Sequence, residues 1–187
     1  MNFIPCVMTT CISLLRGINV GGHRKITMPD LRELYVSVGF TAVQTYIQSG
    51  NAIFRYMETE AGNLSGIISN AIHQAFNLDV AVVVRSAAEW KLVIERMPYP
   101  HLSAETIHVI FLSTKPSGIV PVCTPEDEKR SAGKWYALSK EIYLHCPQGF
   151  SKFKFPSAFT EKNLGVYTTT RNWETVLKLY EIAGKSE

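Results

Sequence analysis

Residues 43–56, VQTYIQSGNAIFRY, decide the fold. Apolar and polar residues alternate over 43–48, as in a strand that buries one face. Gln48-Ser49-Gly50-Asn51 then carries turn chemistry, and a second strand pattern follows over 52–56. The stretch therefore predicts a β-hairpin.

The patterns on either side place this hairpin in the middle of a βαββαβ unit. A strand over 9–16 and a helix that starts after Thr27 precede it. A helix over about 61–76 and a valine-rich strand over 80–85 follow it. This order predicts a ferredoxin-like split βαβ fold, with the first and third strands adjacent and antiparallel. Residues 1–7 precede the first strand pattern and are expected to contribute little to the fold.

The second half also alternates between helix and strand patterns. Ser86-x-x-Glu89 is a capping box that opens a helix, and Thr124-Pro125-Glu126-Asp127 starts a shorter one in the same way. Strand patterns cover 106–112 and a further hairpin over 134–145. A helix with apolar positions from Trp173 onward closes the sequence.

Composition excludes several classes of protein. The chain has 187 residues, of which 46% are hydrophobic and 19% are charged, which argues against disorder. No apolar run reaches the roughly 18 residues that a membrane span requires. The sequence therefore predicts the α+β class, with a ferredoxin-like domain over 1–97 and a smaller α+β domain over 98–187.

The cysteines and histidines do not form a metal-binding pattern. Cys6, Cys11, Cys123 and Cys146 lack the Cys-x-x-Cys spacing of zinc sites. We interpret them as reduced thiols, which predicts a cytoplasmic protein. No Gly-x-Ser-x-Gly elbow occurs either. The sequence predicts no metal site and identifies neither a cofactor nor a catalytic residue.

The segment Arg16-Gly17-Ile18-Asn19-Val20-Gly21-Gly22-His23-Arg24-Lys25 is the most unusual in the chain. Its glycines allow close backbone approach, its cations attract anions, and a helix begins soon after it. The spacing of Gly17 and Gly22 begins like a P-loop, but His23 and Arg24 replace the required Lys and Ser or Thr. The segment predicts an anion site without nucleoside triphosphate hydrolysis. A loop that only turns the chain is the alternative.

The predicted topology brings other polar residues to this loop. The ends of the first two strands and the start of the third share one edge of the sheet, so that Arg16, Asn19, Gln48, Ser49 and Asn51 converge. An arginine at the end of a buried strand also needs a partner for its charge. This arrangement predicts a site for an anionic small molecule, such as a nucleotide or phosphorylated metabolite. A plain hairpin turn is the alternative for the last three residues.

A second polar group lies just before the last helix. Thr170 or Asn172 can cap that helix, and Arg171 can reach an anion. The alternative is a cap beside a core Trp173. The predicted ligand-binding residues are Arg16, Gly17, Asn19, Gly21, Gly22, Gln48, Ser49, Asn51, Thr170, Arg171 and Asn172.

The basic charge is concentrated in one stretch of the chain. The net charge is only +3, but eight basic and two acidic residues lie over 129–171. As an alternative function, this stretch predicts a nucleic-acid surface on which aromatic side chains stack with bases. The aromatic candidates are Trp135, Tyr136, Phe150, Phe153 and Phe155. A solvated lysine-rich surface, and a protein-interaction module without a small ligand, are the remaining alternatives.

Several motifs together resemble a known family. The motifs are SLLRGINVGG over 13–22, MPDLR over 28–32, TYIQSGN over 45–51 and TTRNW over 169–173, and the likeness runs from about Met8 to Ala183. They resemble the family of domain of unknown function 1697. The resemblance implies a bacterial, cytoplasmic α+β protein with two subdomains, the first of them ferredoxin-like, and it implies no mechanism.

The chain departs from the family pattern at two places. His23 stands where family members usually have lysine, and Phe150-Ser151-Lys152-Phe153 stands where an Arg-Ser-Lys-Leu-like run is common. If the charge at position 23 is needed, His23 weakens the predicted site at neutral pH. Residues 1–7 precede the usual start of the family's chains and are interpreted as an extension.

Overall fold

The computed structural model describes residues 7–22, 24–58 and 63–185. It separates into two compact units, Met1–Lys91 with Leu179–Glu187, and Leu92–Lys178. The division into domains after residue 97 stays a prediction beside this grouping. The prediction that residues 1–7 contribute little is wrong for Val7, which begins the first strand and pairs with Glu58, and it lies outside the described residues for 1–6, as does the interpretation of His23.

The first unit has the βαββαβ order that the hairpin predicts. Its strands form one sheet in the order β2-β3-β1-β4, and β1 is antiparallel to both β3 and β4. The predicted pairing of the first and third strands is therefore confirmed. The elements are β1 (Val7–Leu15), α1 (Met28–Ser37), β2 (Thr41–Tyr46), β3 (Asn51–Glu58), α2 (Leu64–Phe76) and β4 (Val82–Ser86), followed by α3 (Ala87–Glu95).

The core of this unit lies between one face of the sheet and helices α1 and α2. Leu31 and Tyr35 of α1 and Ile68 of α2 are at most 1% exposed. The Tyr35 ring packs edge-on against Phe54 of β3 at 5.3 Å between centroids. Aromatic pairs in this geometry add to the stability that burial alone provides. The sequence spacing on both helices thus buries the faces that it predicts.

The second unit forms a separate antiparallel sheet. Its strand order is β6-β7-β5-β8. Each long-range strand pair is antiparallel, in keeping with the predicted hairpin and the mixed α+β class. The elements are β5 (Ile107–Leu112), α4 (Pro125–Ser131), β6 (Lys134–Leu138), β7 (Glu141–His145), α5 (Glu161–Leu164), β8 (Thr168–Asn172) and α6 (Trp173–Gly184), the last of which continues into the first unit.

Local capping chemistry sets the helix starts. Thr27 accepts a hydrogen bond from the Asp30 N–H, and Ser86 and Glu89 bond each other's backbone N–H groups as predicted. Thr124 and Asp127 form the second capping box. Such caps satisfy donors that the first helical turn leaves open, which explains why these starts can be predicted. No described helix combines the length and the apolar character that crossing a bilayer requires.

Candidate functional site

The glycine-rich loop connects β1 to α1 and has an unusual backbone. Five described residues of the loop have positive φ, and two of them, Gly21 and Gly22, are consecutive and form a turn directly after Val20. Positive φ supplies the left-handed part of the anion-binding concavities called nests, in which successive N–H groups face one side. The positive φ values are 64° at Gly17, 56° at Asn19, 60° at Gly21, 79° at Gly22 and 51° at Arg24.

Asn19 holds this loop in place. Its side-chain Nδ2 donates to the Ile26 carbonyl and to the Gln48 carbonyl, each at 2.9 Å. Its Oδ1 accepts the Ile26 N–H at 3.0 Å. The Asn19 N–H also donates to the Arg24 carbonyl at 3.1 Å, which closes the loop. One side chain thus ties the loop to the start of α1 and to the β2–β3 turn.

The β2–β3 turn is anchored from its other end by Asn51. This side chain is fully buried, and its Nδ2 donates to the Tyr46 carbonyl at 2.9 Å and to Ser49 Oγ at 3.0 Å. The Leu15 N–H donates to the Gly50 carbonyl at 2.8 Å. The turn therefore packs directly on the end of β1, where the glycine loop begins.

The surface of this frame is basic and exposed. Arg16, Gly17, Gly21, Gly22, Arg24 and Lys25 are exposed, as are Gln48 and Ser49 on the turn. Exposure of Arg16 corrects one premise of the sequence argument: because water solvates its charge, burial does not oblige it to find an anion. A Cβ on Gly17 would lie 3.9 Å from Nη1 of Arg24, which places this guanidinium beside the glycine backbone.

Backbone donors remain available in the loop. Among the described residues, the N–H groups of Gly17, Gly21 and Gly22 donate to no acceptor. The two amide hydrogens of Asn19 and of Asn51 are already committed to the protein's own acceptors. The structure thus brings the predicted residues of the loop and of the turn together. The supporting residues are Asn19 and Asn51, and the exposed outer residues are Arg16, Gly17, Gly21, Gly22, Gln48 and Ser49.

The predicted residues before the last helix lie in the second unit. Arg171 is 8% exposed, and its Nη1 donates to Thr169 Oγ1 at 2.8 Å and to the Thr170 carbonyl at 2.9 Å. Burial lowers the pKa of this guanidinium to about 10. Asn172 Oδ1 accepts the Thr175 N–H at 3.0 Å, so the predicted cap is present. A ligand-binding role for these residues stays a prediction.

The aromatic residues of the basic stretch differ in their exposure. Trp135 and Phe153 are 4% and 6% exposed, and they belong to the second core. Their burial removes them as stacking surfaces for nucleic-acid bases. Phe150 stacks on His108 at 4.4 Å, while Tyr136 and Phe155 remain about half exposed. The nucleic-acid alternative therefore retains only part of the aromatic surface that the sequence predicts.

Sequence patterns did not single out a cleft in the second unit. The residues Ser131, Trp135 and Pro156 line it together. Because these residues lie in different elements and share no motif, neither spacing nor periodicity indicates their contact.

The structure also groups no three His, Cys, Asp or Glu side chains suitable for a metal within its described ranges.

Comparisons with known proteins concern the family and the fold. Residues 8–143 match the model of a family described as protein of unknown function (DUF1697). No curated protein matches the chain. The solved structure of a conserved bacterial protein from Streptococcus pneumoniae is similar with a TM-score of 0.71, at 21% identity, over 95% of this chain and 99% of that one. At this identity the likeness shows the fold alone.

Proposed function

Because the chain belongs to the DUF1697 family, which is described only as of unknown function, we propose a function from the site itself. The loop Gly17–Lys25 binds the phosphate or carboxylate group of a small anionic molecule. A nucleotide or a phosphorylated metabolite is the ligand class that we favour.

The backbone of the loop is the observation that carries this proposal. Gly17, Gly21 and Gly22 have positive φ, are exposed, and keep N–H groups without acceptors among the described residues. Asn19 holds the loop through three side-chain hydrogen bonds before any ligand arrives. A frame that is already ordered loses little conformational entropy on binding, which favours recognition.

Charge supports the same conclusion. Arg16, Arg24 and Lys25 flank the glycines in the sequence, and no acidic residue occurs between Met1 and Pro29. A local excess of positive charge raises the concentration of anions near the loop. Arginine also presents a planar pair of donors that matches a phosphate or carboxylate. The outer residues Gln48 and Ser49 supply further polar groups beside the loop.

The supporting residues have a different role in this proposal. Asn19 and Asn51 position the loop and the turn, and their amide hydrogens do not reach the ligand. Their substitution should therefore weaken binding through loss of order, together with loss of stability. Substitution of Arg24 should weaken binding while leaving stability almost unchanged.

Amide NMR spectroscopy tests the proposal directly. Inorganic pyrophosphate and a panel of phosphorylated metabolites are titrated into the ¹⁵N-labelled protein. We expect saturable shifts of the Gly17, Gly21 and Gly22 amides, and about tenfold weaker binding in Arg24→Gln, as loss of a charge-assisted hydrogen bond implies. Arg32→Gln removes an exposed charge from α1 and serves as the matched control.

The opposite results would reject the proposal. Glycine amides that stay in place with every anion would assign the loop to chain reversal alone. Equal losses of affinity in Arg24→Gln and Arg32→Gln would show that only the general positive charge attracts the anion.

A further inference from the structure

A cleft of about 440 Å³ opens in the second unit, beside the C-terminal end of α4. Arg130 and Ser131 of α4 line it together with residues 154–158. Its volume falls within the range of about 300–1,000 Å³ that small-molecule sites occupy. It lies in a unit other than that of the glycine loop, so it does not depend on the function proposed above.

A serine whose residue surface is almost fully buried lines this cleft. Ser131 is 2% exposed, and its carbonyl accepts the Lys154 N–H at 3.0 Å. Its hydroxyl forms no hydrogen bond with any of the described residues. This hydroxyl is not among the buried side-chain atoms that lack a partner in the described residues, so it is open to the cleft, where a polar ligand atom can bond it.

Aromatic and proline side chains supply flat apolar walls. The Trp135 indole Nε1–H donates to the Pro121 carbonyl at 2.8 Å, which fixes this ring. Phe155 packs edge-on against Phe153 at 5.0 Å between centroids, yet it stays 47% exposed. A half-exposed ring that its neighbours hold in place is suited to stacking with another planar ring.

The rim of the cleft carries positive charge. Lys154 is exposed and forms no ion pair within the parts of the chain that the structure describes. Arg130 pairs with Asp127, whose carboxylate also accepts hydrogen bonds from Thr124. The single carboxylate at the cleft is thus neutralised by its own partners, and the charge of Lys154 remains to attract an anion.

We propose that this cleft binds a nucleotide, with its base against Phe155, its phosphate at Lys154 and a polar atom at the Ser131 hydroxyl. A ligand that joins a planar ring to an anionic group is complementary to all three features. A free mononucleotide and a nucleotide unit of a single-stranded RNA share this chemistry. The experiment below distinguishes these two sources.

Calorimetric titration of the full chain tests the proposal. The probes are AMP, adenosine, inorganic phosphate and an oligoadenylate. We expect AMP to bind saturably, and adenosine and phosphate to bind at least about tenfold more weakly, because each lacks one of the two recognised groups. Tighter binding of the oligoadenylate than of AMP indicates RNA as the source, and equal or weaker binding indicates the free nucleotide.

Matched variants locate the site. Phe155→Leu and Lys154→Gln should each weaken AMP binding by about tenfold, as loss of base stacking or of a phosphate contact implies. Tyr167→Leu and Lys152→Gln change an exposed ring and an exposed lysine elsewhere in the unit, and should stay within about twofold of the wild type. All four positions are exposed, so the variants should fold.

Three results would overturn the proposal. The first is the absence of saturable binding at about 1 mM AMP. The second is AMP binding that neither Phe155→Leu nor Lys154→Gln weakens. The third is AMP binding that Arg24→Gln abolishes and Phe155→Leu preserves, which would assign the nucleotide to the glycine loop.

Discussion

The side-chain amide of Asn19 donates a 2.9 Å hydrogen bond to the carbonyl of Gln48, which lies 29 residues further along the chain. This bond joins the loop after β1 to the turn between β2 and β3. The same amide bonds the Ile26 carbonyl at 2.9 Å. The geometry of the candidate anion site therefore depends on the side chain of Asn19. The backbone φ of this residue is positive, a conformation that asparagine tolerates better than most residues.

Asn19→Asp should destabilise the protein while keeping most of the side-chain shape. The carboxylate still accepts the Ile26 N–H, but it loses both donations and faces two carbonyl oxygens. We expect the free energy of unfolding to fall by about 2–4 kcal/mol, measured by urea denaturation. Gln48→Ala is the control, because only the backbone carbonyl of Gln48 takes part, and it should cost less than about 0.5 kcal/mol. Similar effects of both variants would contradict the role of Asn19.

Gly50→Ala should cost more stability than Gly39→Ala. Both glycines have positive φ, 76° and 97°, so both substitutions strain the backbone by about 1–2 kcal/mol. A Cβ on Gly50 would also lie 2.7 Å from Ile18 Cδ1 and from Leu15 Cβ, whereas one on Gly39 would meet no atom within 4 Å. Overpacking adds about 1–3 kcal/mol at position 50 alone. Thermal denaturation of the two variants gives this difference, and equal midpoints would exclude the close packing of the turn on β1.

Ser13→Ala should cost more than Tyr35→Phe, although both remove the same bond. Their hydroxyl groups share a 2.8 Å hydrogen bond in the first core. After Tyr35→Phe, Ser13 still has the Ala52 carbonyl at 3.3 Å, but after Ser13→Ala the buried Tyr35 hydroxyl loses this partner. An unsatisfied buried hydroxyl costs about 1–3 kcal/mol. A double-mutant cycle in urea checks the order, and purely additive effects would disprove the coupling.

The free energy of unfolding should decrease as pH rises in alkaline solution, because the thiol of Cys146 is buried. Burial raises the pKa of its thiol to about 11, whereas a free thiol ionises near about 8.5. Below about pH 8.5 the thiol is protonated in both states, and its contribution to stability is fully present. Between about 8.5 and 11 the unfolded state releases its proton first, so the free energy of unfolding decreases as pH rises.

The variant Cys146→Ala isolates this effect. The Cys146 N–H still donates to the Thr106 carbonyl after the substitution, so the backbone contact is kept. We expect the wild type to lose stability relative to the variant between pH 8.5 and 11, and the difference to stay constant below pH 8. Parallel stability curves across the whole range would show that the thiol ionises equally well in the folded state.

Local patterns explain why much of the fold is predictable from the sequence. The hairpin over 43–56 is set by the turn residues within it. Each helix cap bonds the backbone N–H of the residue three positions later, as at Thr27, Ser86 and Thr124. Turn chemistry and helix periodicity depend on short-range sterics and hydrogen bonds, which any single sequence displays. The element order of the first unit then leaves few sheet topologies, and the pairing of β1 with β3 follows from it.

The roles of the candidate site residues depend on distant contacts instead. Sequence patterns place Arg16, Asn19 and Asn51 near one sheet edge, but they do not show that Arg16 is exposed while Asn51 is fully buried. The same holds for Trp135 and Phe155. Both are aromatic residues of the basic stretch, but Trp135 is 4% exposed and Phe155 is 47% exposed. Burial of a side chain is set by residues that other elements bring against it, and no local pattern encodes them.

The sequence by itself determined the strands, the helix starts, the family and the basic glycine-rich loop of this protein. Those properties arise from short-range conformational preferences and from the composition of single segments. Only the tertiary structure decided that Asn19 bonds Gln48 and that Ser131, Lys154 and Phe155 line one cleft. The hydrogen bonds of a folded side chain depend on which distant acceptors reach it, and chain packing alone settles that.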